Sequence, residues 1–158
     1  MKVDFVNPFV KATFDVIHSE LSKKIKKGDL SLTSSSLTTN EVTVMIGVVG
    51  QIQGVVLYGM SERTAKTVVA TMTGMSVPVM DRMVESAIAE LGNVITGRAA
   101  VELESAGYSC RLTPPTVIVG RGAIISTVSI QCLNIPIDVA DHGELTLSVA
   151  LREAIVPS

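Results

Sequence analysis

Ser86-Ala-Ile-Ala-Glu90-Leu-Gly-Asn93-Val-Ile-Thr-Gly97 is the stretch on which the fold of this chain turns. At about 100° of rotation per helical residue, Ser86, Glu90, Asn93 and Gly97 share one side of a helix. Val84, Ile88, Leu91 and Ile95 share the opposite side, the pattern of an amphipathic helix with its apolar row on a core. The outward row carries a hydroxyl, a carboxylate and a carboxamide, and Ala89, Gly97 and Ala100 in or beside it add almost no bulk. A rod trimmed in this way lets another surface come close. Its carboxylate can grip a cation and its carboxamide can hold a water molecule. Pro78 and Asp81 introduce this helix and Gly107 ends it, which predicts a span of about 82–105.

Outward from the helix, the preceding segments divide cleanly. Ser61 is placed to cap a shorter helix from Glu62 to about Met72, closed by Gly74. Before it, Val42 to Ser61 runs 20 residues without a charge, long enough to be weighed as a membrane span. Its glycines, glutamines and β-branched residues fit two strands better, joined around Gly50-Gln51, where Gly suits the first position of a type II′ turn. The polar stretch Ser31–Asn40 predicts a weak edge strand or a loop. Asn7-Pro8 predicts the start of a first helix, with Phe9, Thr13, Ile17, Leu21 and Ile25 facing the core and Gly28-Asp29 ending it. The run Lys23-Lys24-Ile25-Lys26-Lys27 then complements the negative end of that helix.

Beyond the long helix the sequence turns β-rich. Pro114-Pro115 breaks the chain before Thr116-Val-Ile-Val119, and Gly120-Arg121-Gly122 forms a turn. Ala123–Asp138 follows, with Pro136 expected at an edge or a late bulge. Asp141-His142-Gly143 turns tightly into a strand from Glu144 to Arg152. A helix, two strands, two helices and three or four strands, in that order, predict an α+β fold: a mixed or antiparallel sheet with helices packed on it.

Composition narrows the function classes. At 158 residues, 47% hydrophobic and 18% charged, the chain has the scale of one globular domain and can bury about two-thirds of its unfolded surface. A formal charge of −2 and 3% aromatic residues with no Trp argue against nucleic-acid binding through phosphate contacts or base stacking. Cys110 and Cys132 are too few for a disulfide framework and are expected as buried thiols in a reducing compartment. Met1-Lys2-Val3-Asp4 passes at once into an amphipathic pattern, so no leader is expected. His18 and His142 lack the spacing of a zinc site, and no metal is expected. No P-loop, Gly-x-Ser-x-Gly elbow or Gly-x-Gly-x-x-Gly fingerprint occurs. Catalysis on this chain would therefore rest on an acid and an amide.

Glu-x-x-Asn alone occurs on many solvated helices, but its surroundings are specific. Asp4-Phe-Val-Asn-Pro-Phe9, Gly50-Gln-Ile-Gln-Gly54, Gly59-Met-Ser61, Thr71-Met-Thr-Gly74, Leu112-Thr-Pro-Pro-Thr-Val117 and Gly143-Glu-Leu145 accompany the Ser86–Gly97 helix. Together they resemble the CheX branch of the CheC/CheX/FliY family of bacterial signalling phosphatases over most of the chain. The helix is similar to that family's active-site helix, whose pattern is Asp or Ser, three residues, Glu, two residues, Asn. In the family pattern about 22 residues stand between the Asn and a following proline. Here 21 residues stand between Asn93 and Pro115 and 20 between Asn93 and Pro114, a departure that a one-residue deletion near Gly107 explains, and neither proline is given more than a structural role.

The resemblance implies a single CheX-like domain over 1–158 with a CheC-like fold, located in the cytoplasm. It implies dephosphorylation of the phosphoaspartate of a CheY-type response regulator, in chemotaxis or a related two-component pathway. Asn93 would orient the attacking water and Glu90 would pair with the receiver's active-site lysine. Ser86, Ala89, Gly97 and Ala100 would lie at the contact. The partner brings its own Mg²⁺, so no cofactor is expected on this chain. The motif occurs once, since the first helix carries Asp15 and His18 where a second site would need Glu and Asn. That suits the branch known for homodimers, with the C-terminal strands as a possible pairing edge. A non-catalytic module that binds phosphorylated receivers would use the same helix face, and a structural subunit of the flagellar switch is a third reading. The intact Glu90 and Asn93 favour catalysis.

Overall fold

A computed structural model describes residues 3–33, 36–127 and 130–154. Along the chain lie α1 (Val3–Leu21), β1 (Ile25–Lys27), β2 (Ser31–Thr33), β3 (Ser36–Thr38), β4 (Val42–Gly50) and β5 (Ile52–Met60). Then come α2 (Glu62–Thr73), α3 (Arg82–Ser105), β6 (Cys110–Leu112), β7 (Thr116–Val119), β8 (Ile124–Ser126), β9 (Cys132–Val139) and β10 (Gly143–Glu153). The main sheet runs β1-β9-β10-β5-β4-β6, with β2 continuing the β1 side of β9 and β7 the β6 side of β4; β3 and β8 form a separate ribbon. Every pairing is antiparallel. The α+β expectation holds, as does the β4–β5 hairpin at the uncharged stretch.

Alternation builds the core. Val42, Val44, Ile46 and Val48 on β4 are buried, as are Ile135, Ile137 and Val139 on β9 and Leu145, Leu147, Val149 and Leu151 on β10. They join Phe5, Phe9 and Ile17 of α1 and Val84, Ile88, Ile95 and Leu103 of α3 in one cluster. Each such side chain contributes about 1.5–3 kcal/mol by leaving water. The predicted caps are present. Ser61 accepts from the Thr64 N–H and Gly74 closes α2 in the left-handed region at φ 70°. Asp81 accepts from the Val84 N–H at 3.1 Å, and Gly107 follows α3 at φ 98°.

Four local expectations are corrected. Helix α1 begins upstream of Asn7-Pro8 and encloses Pro8. An internal proline costs about 3 kcal/mol, but extending the helix buries Phe5 and Val6, which offsets that amount. The helix also stops at Leu21 instead of reaching Gly28. Ser22 turns left-handed at φ 52°, and the lysine run continues as β1 against Val139–Ile137. Its cations therefore flank an outer strand, where charge discourages edge-to-edge pairing. Pro136 sits on β9, which is paired on both sides, yet it falls between the stretches matched by β1 and β2. There only its carbonyl is needed, accepting from Gly28 N–H at 2.7 Å, so the missing N–H forfeits no ladder bond. Of the strands that follow α3, β9 and β10 are interior, whereas β6 and β7 lie on an outer side of the sheet and β8 in the two-stranded ribbon.

The polar stretch Ser31–Asn40 supplies two short strands, β2 and β3, and the run Ala123–Asp138 supplies β8 and β9. Their residues 34–35 and 128–129 lie outside the described set, as do 1–2 and 155–158. No described helix is long and apolar enough to cross a membrane.

Candidate functional site

The apolar row of α3 seats the helix on the sheet, and the polar row is carried outward as a consequence. Val84, Ile88, Leu91 and Ile95 are buried, Ser86 and Glu90 are exposed, and Ala89, Asn93, Gly97 and Ala100 are half-buried. The six residues singled out from sequence thus lie along one accessible face. Among the described residues no side-chain hydrogen bond or ion pair engages Glu90 or Asn93. An acid and an amide whose bonding capacity the fold leaves unused are available to a partner.

Two glycines of α3 serve opposite purposes. A Cβ on Gly92 would lie 3.1 Å from Val44 Cγ1 and 3.2 Å from Tyr58 Cδ2, so glycine there lets the helix settle onto the sheet. A Cβ on Gly97 would meet nothing within 4 Å. Glycine inside a helix costs about 1 kcal/mol relative to alanine, and at Gly97 no internal packing explains it; the face gains clearance for a neighbour. Val94 and Val101, 40% and 64% exposed, add apolar surface beside this clearance.

Beneath the face lies a pair that sequence reading missed. Tyr58 Oη and Thr96 Oγ1, both buried, are 2.7 Å apart, and Thr96 Oγ1 donates to the Gly92 carbonyl at 2.7 Å. Burial pushes the Tyr58 phenol well above its ordinary range. The available signal was Tyr58 on the inward register of β5 opposite a lone hydroxyl in the apolar row of α3. Thr113 anchors the prolines: its N–H donates to the Gly47 carbonyl at 2.9 Å and its Oγ1 accepts from Gly47 N–H at 2.8 Å. Pro114-Pro115 follows this anchor between β6 and β7, in keeping with a structural role.

Other chemistry is elsewhere or committed. His18 is exposed on α1. His142 is buried, with Nδ1 2.8 Å from the Ala140 carbonyl and Nε2 2.7 Å from Thr71 Oγ1. Among the described residues no three His, Cys, Asp or Glu side chains come together as a metal site. Cys132 is fully buried, as expected, whereas Cys110 is only half-buried. Burial raises both thiols, Cys132 to about 11. The thiolate is the reactive form, so native protein at pH 8 is expected to react sluggishly with a disulfide reagent. Cys110 should label first and Cys132 only on unfolding, which a time course with and without denaturant reads directly; rapid labelling of Cys132 in the folded state would contradict its burial.

An antiparallel sheet carrying long helices, one of them presenting an outward Glu and Asn, is an α+β arrangement that solved CheC-like proteins share. The family model described as "Chemotaxis phosphatase CheX" matches residues 42–138. The CheY-P phosphatase CheX of Thermotoga maritima is 33% identical over 153 residues, 96% of this chain and 98% of the relative. A CheC-like superfamily protein from Shewanella sp. PV-4 superposes with a TM-score of 0.87 at 26% identity, covering 96% of this chain and 99% of that one. A chain of the CheX–CheY–BeF3–Mg²⁺ complex from Borrelia burgdorferi does so at 0.83 and 26%, covering 96% and 100%. The chain belongs to the CheX family.

Proposed function

We propose that this chain is a phosphatase that hydrolyses the phosphoaspartate of a CheY-type response regulator in chemotaxis or a related two-component pathway. The observation that carries this reading is the full-length likeness to a CheY-P phosphatase, together with a Glu90–Asn93 face that the chain's own structure leaves unengaged. Water attacks phosphorus, the bond from phosphorus to the aspartyl oxygen breaks, and that oxygen leaves with the electron pair as carboxylate. Such displacement asks for positioning and charge stabilisation more than for covalent chemistry from the protein.

In this reading Asn93 enters beside the phosphoryl group, where its carbonyl oxygen accepts from the water and its amide donates to a neighbouring oxygen. Glu90 pairs with the receiver's lysine and fixes the register of docking. Ser86, Ala89, Gly97 and Ala100 form the contact, and the small residues permit close approach. Mg²⁺ belongs to the receiver, and this chain brings no cofactor of its own. A cytoplasmic location follows from that of such receivers. A homodimer is part of the proposal, and its pairing surface is sought on the outer β1–β2 side or the β3–β8 ribbon, where Leu32 and Ile124 are exposed.

The test is phosphate release from a phosphorylated receiver with and without the protein. Faster release supports the phosphatase, and binding without faster release supports a non-catalytic reader of the phosphorylated state. Neither binding nor release would overturn both.

A further inference from the structure

We propose that Tyr58 and Thr96 are positioning residues for this reaction: a buried hydroxyl relay, Tyr58 to Thr96 to the Gly92 carbonyl, locks the turn of α3 that presents Asn93. The inference rests on the phosphatase reading above and deepens it. The direction of the relay follows from proton count. Thr96 has one hydroxyl proton and donates it to the Gly92 carbonyl at 2.7 Å, so at the 2.7 Å contact with Tyr58 it must accept. Tyr58 therefore donates, and the relay ends on the residue immediately before Asn93. The raised pKa of the phenol keeps that proton in place at any working pH.

The need for such a lock follows from the rest of the helix seat. Val84, Ile88, Leu91 and Ile95 hold α3 through apolar contact, which is non-directional and tolerates small slides and rolls. Gly92 allows a close approach to Val44 and Tyr58, but closeness alone does not fix rotation. A hydrogen bond demands both distance and angle. Threonine bonding back to the carbonyl four residues earlier ties its side chain to that turn of the helix, here the turn bearing Asn93. A Phe–Val pair of the same shape would fill the space with no polar group to satisfy. What the hydroxyls add is a single geometry.

Steady-state phosphate release by the full chain tests this, with Tyr58→Phe, Thr96→Val, Thr96→Ser and the Tyr58→Phe/Thr96→Val double variant. Tyr58→Phe and Thr96→Val are each expected to lower kcat about tenfold with KM within about twofold, since small misplacement of a reacting group is costly in rate. Thr96→Ser keeps the hydroxyl and should hold kcat within about twofold of wild type. Because both residues serve one relay, the double variant should fall no further than either single one, while its melting temperature stays near that of wild type. Tyr58→Phe leaves no polar group stranded and decides alone if Thr96→Val fails to fold. Wild-type kcat in Tyr58→Phe, or multiplying losses in the double variant, would overturn the inference while leaving the phosphatase standing. A wild-type protein that releases no phosphate would instead remove the function, and this inference with it.

Discussion

Asn93→Ala is expected to lower kcat for phosphate release on the order of 10²–10³-fold, with little change in affinity for the phosphorylated receiver. The magnitude follows from what the carboxamide is asked to do. Holding a water in line with the breaking bond replaces a rare encounter by a standing one, worth about 3–4 kcal/mol of the barrier. The structure supplies the prerequisites. Asn93 is half-buried on a 24-residue helix, next to the Gly92 contact with the sheet. Its backbone is thus held firmly while its side chain has no bonding partner among the described residues. Truncation to alanine keeps the helix, which alanine favours, and removes only the group that meets water. An uncharged amide contributes little to docking, so the loss belongs in kcat and leaves KM nearly unchanged. Single-turnover release at saturating receiver, beside a direct binding titration, separates the two. Undiminished release by Asn93→Ala would strip the residue of its role, whatever happens to the fold.

The reason α3 was legible is that its signals are all local. Asp81 at the cap, an apolar row at helical spacing and Gly107 beyond the end each act within a few residues. The same holds for Ser61 and Gly74 around α2 and for Gly50 at the β4–β5 turn. Where the reading failed, a distant contact outweighed a local one. Pro8 marks a helix start by itself, but Phe5 and Val6 find a buried place upstream of it. Lys23–Lys27 continues the row of α1 on paper, yet the edge of β9 takes Ile25–Lys27 as a strand. Pro136 signals an edge, and what it occupies is a gap between two short partners of an interior strand. Tyr58 and Thr96 stand 38 positions apart, and each neighbourhood shows only a hydroxyl on an inward row, not that the two meet. The outward placement of Glu90 and Asn93 was legible because it needed only the helical period. Their chemical roles were not, because those depend on a partner's cleft.

Glu90→Ala is expected to act on the other half of the encounter, raising KM about 30-fold or more with a smaller effect on kcat. Free in solution the carboxylate is exposed and unpaired among the described residues, so its removal should leave the melting temperature unchanged. Its value arises only on docking, when water is expelled around it. An exposed Glu–Lys pair is worth well under 1 kcal/mol, and an effect that small would scarcely register. Removing one member of a pair that docking has desolvated strands the other charge, at about 2–5 kcal/mol. The measured size therefore reports whether the helix truly inserts into the receiver or merely brushes its rim. Salt separates the cases again, because screening acts strongly on exposed pairs and weakly on buried ones. Glu90→Gln, similar in shape but uncharged, should resemble Glu90→Ala if charge pairing with the lysine is the cause. A wild-type KM in Glu90→Gln would reassign the residue to hydrogen bonding. Losses of equal size in kcat for Glu90→Ala and Asn93→Ala, with binding unchanged, would dissolve the division of labour between acid and amide.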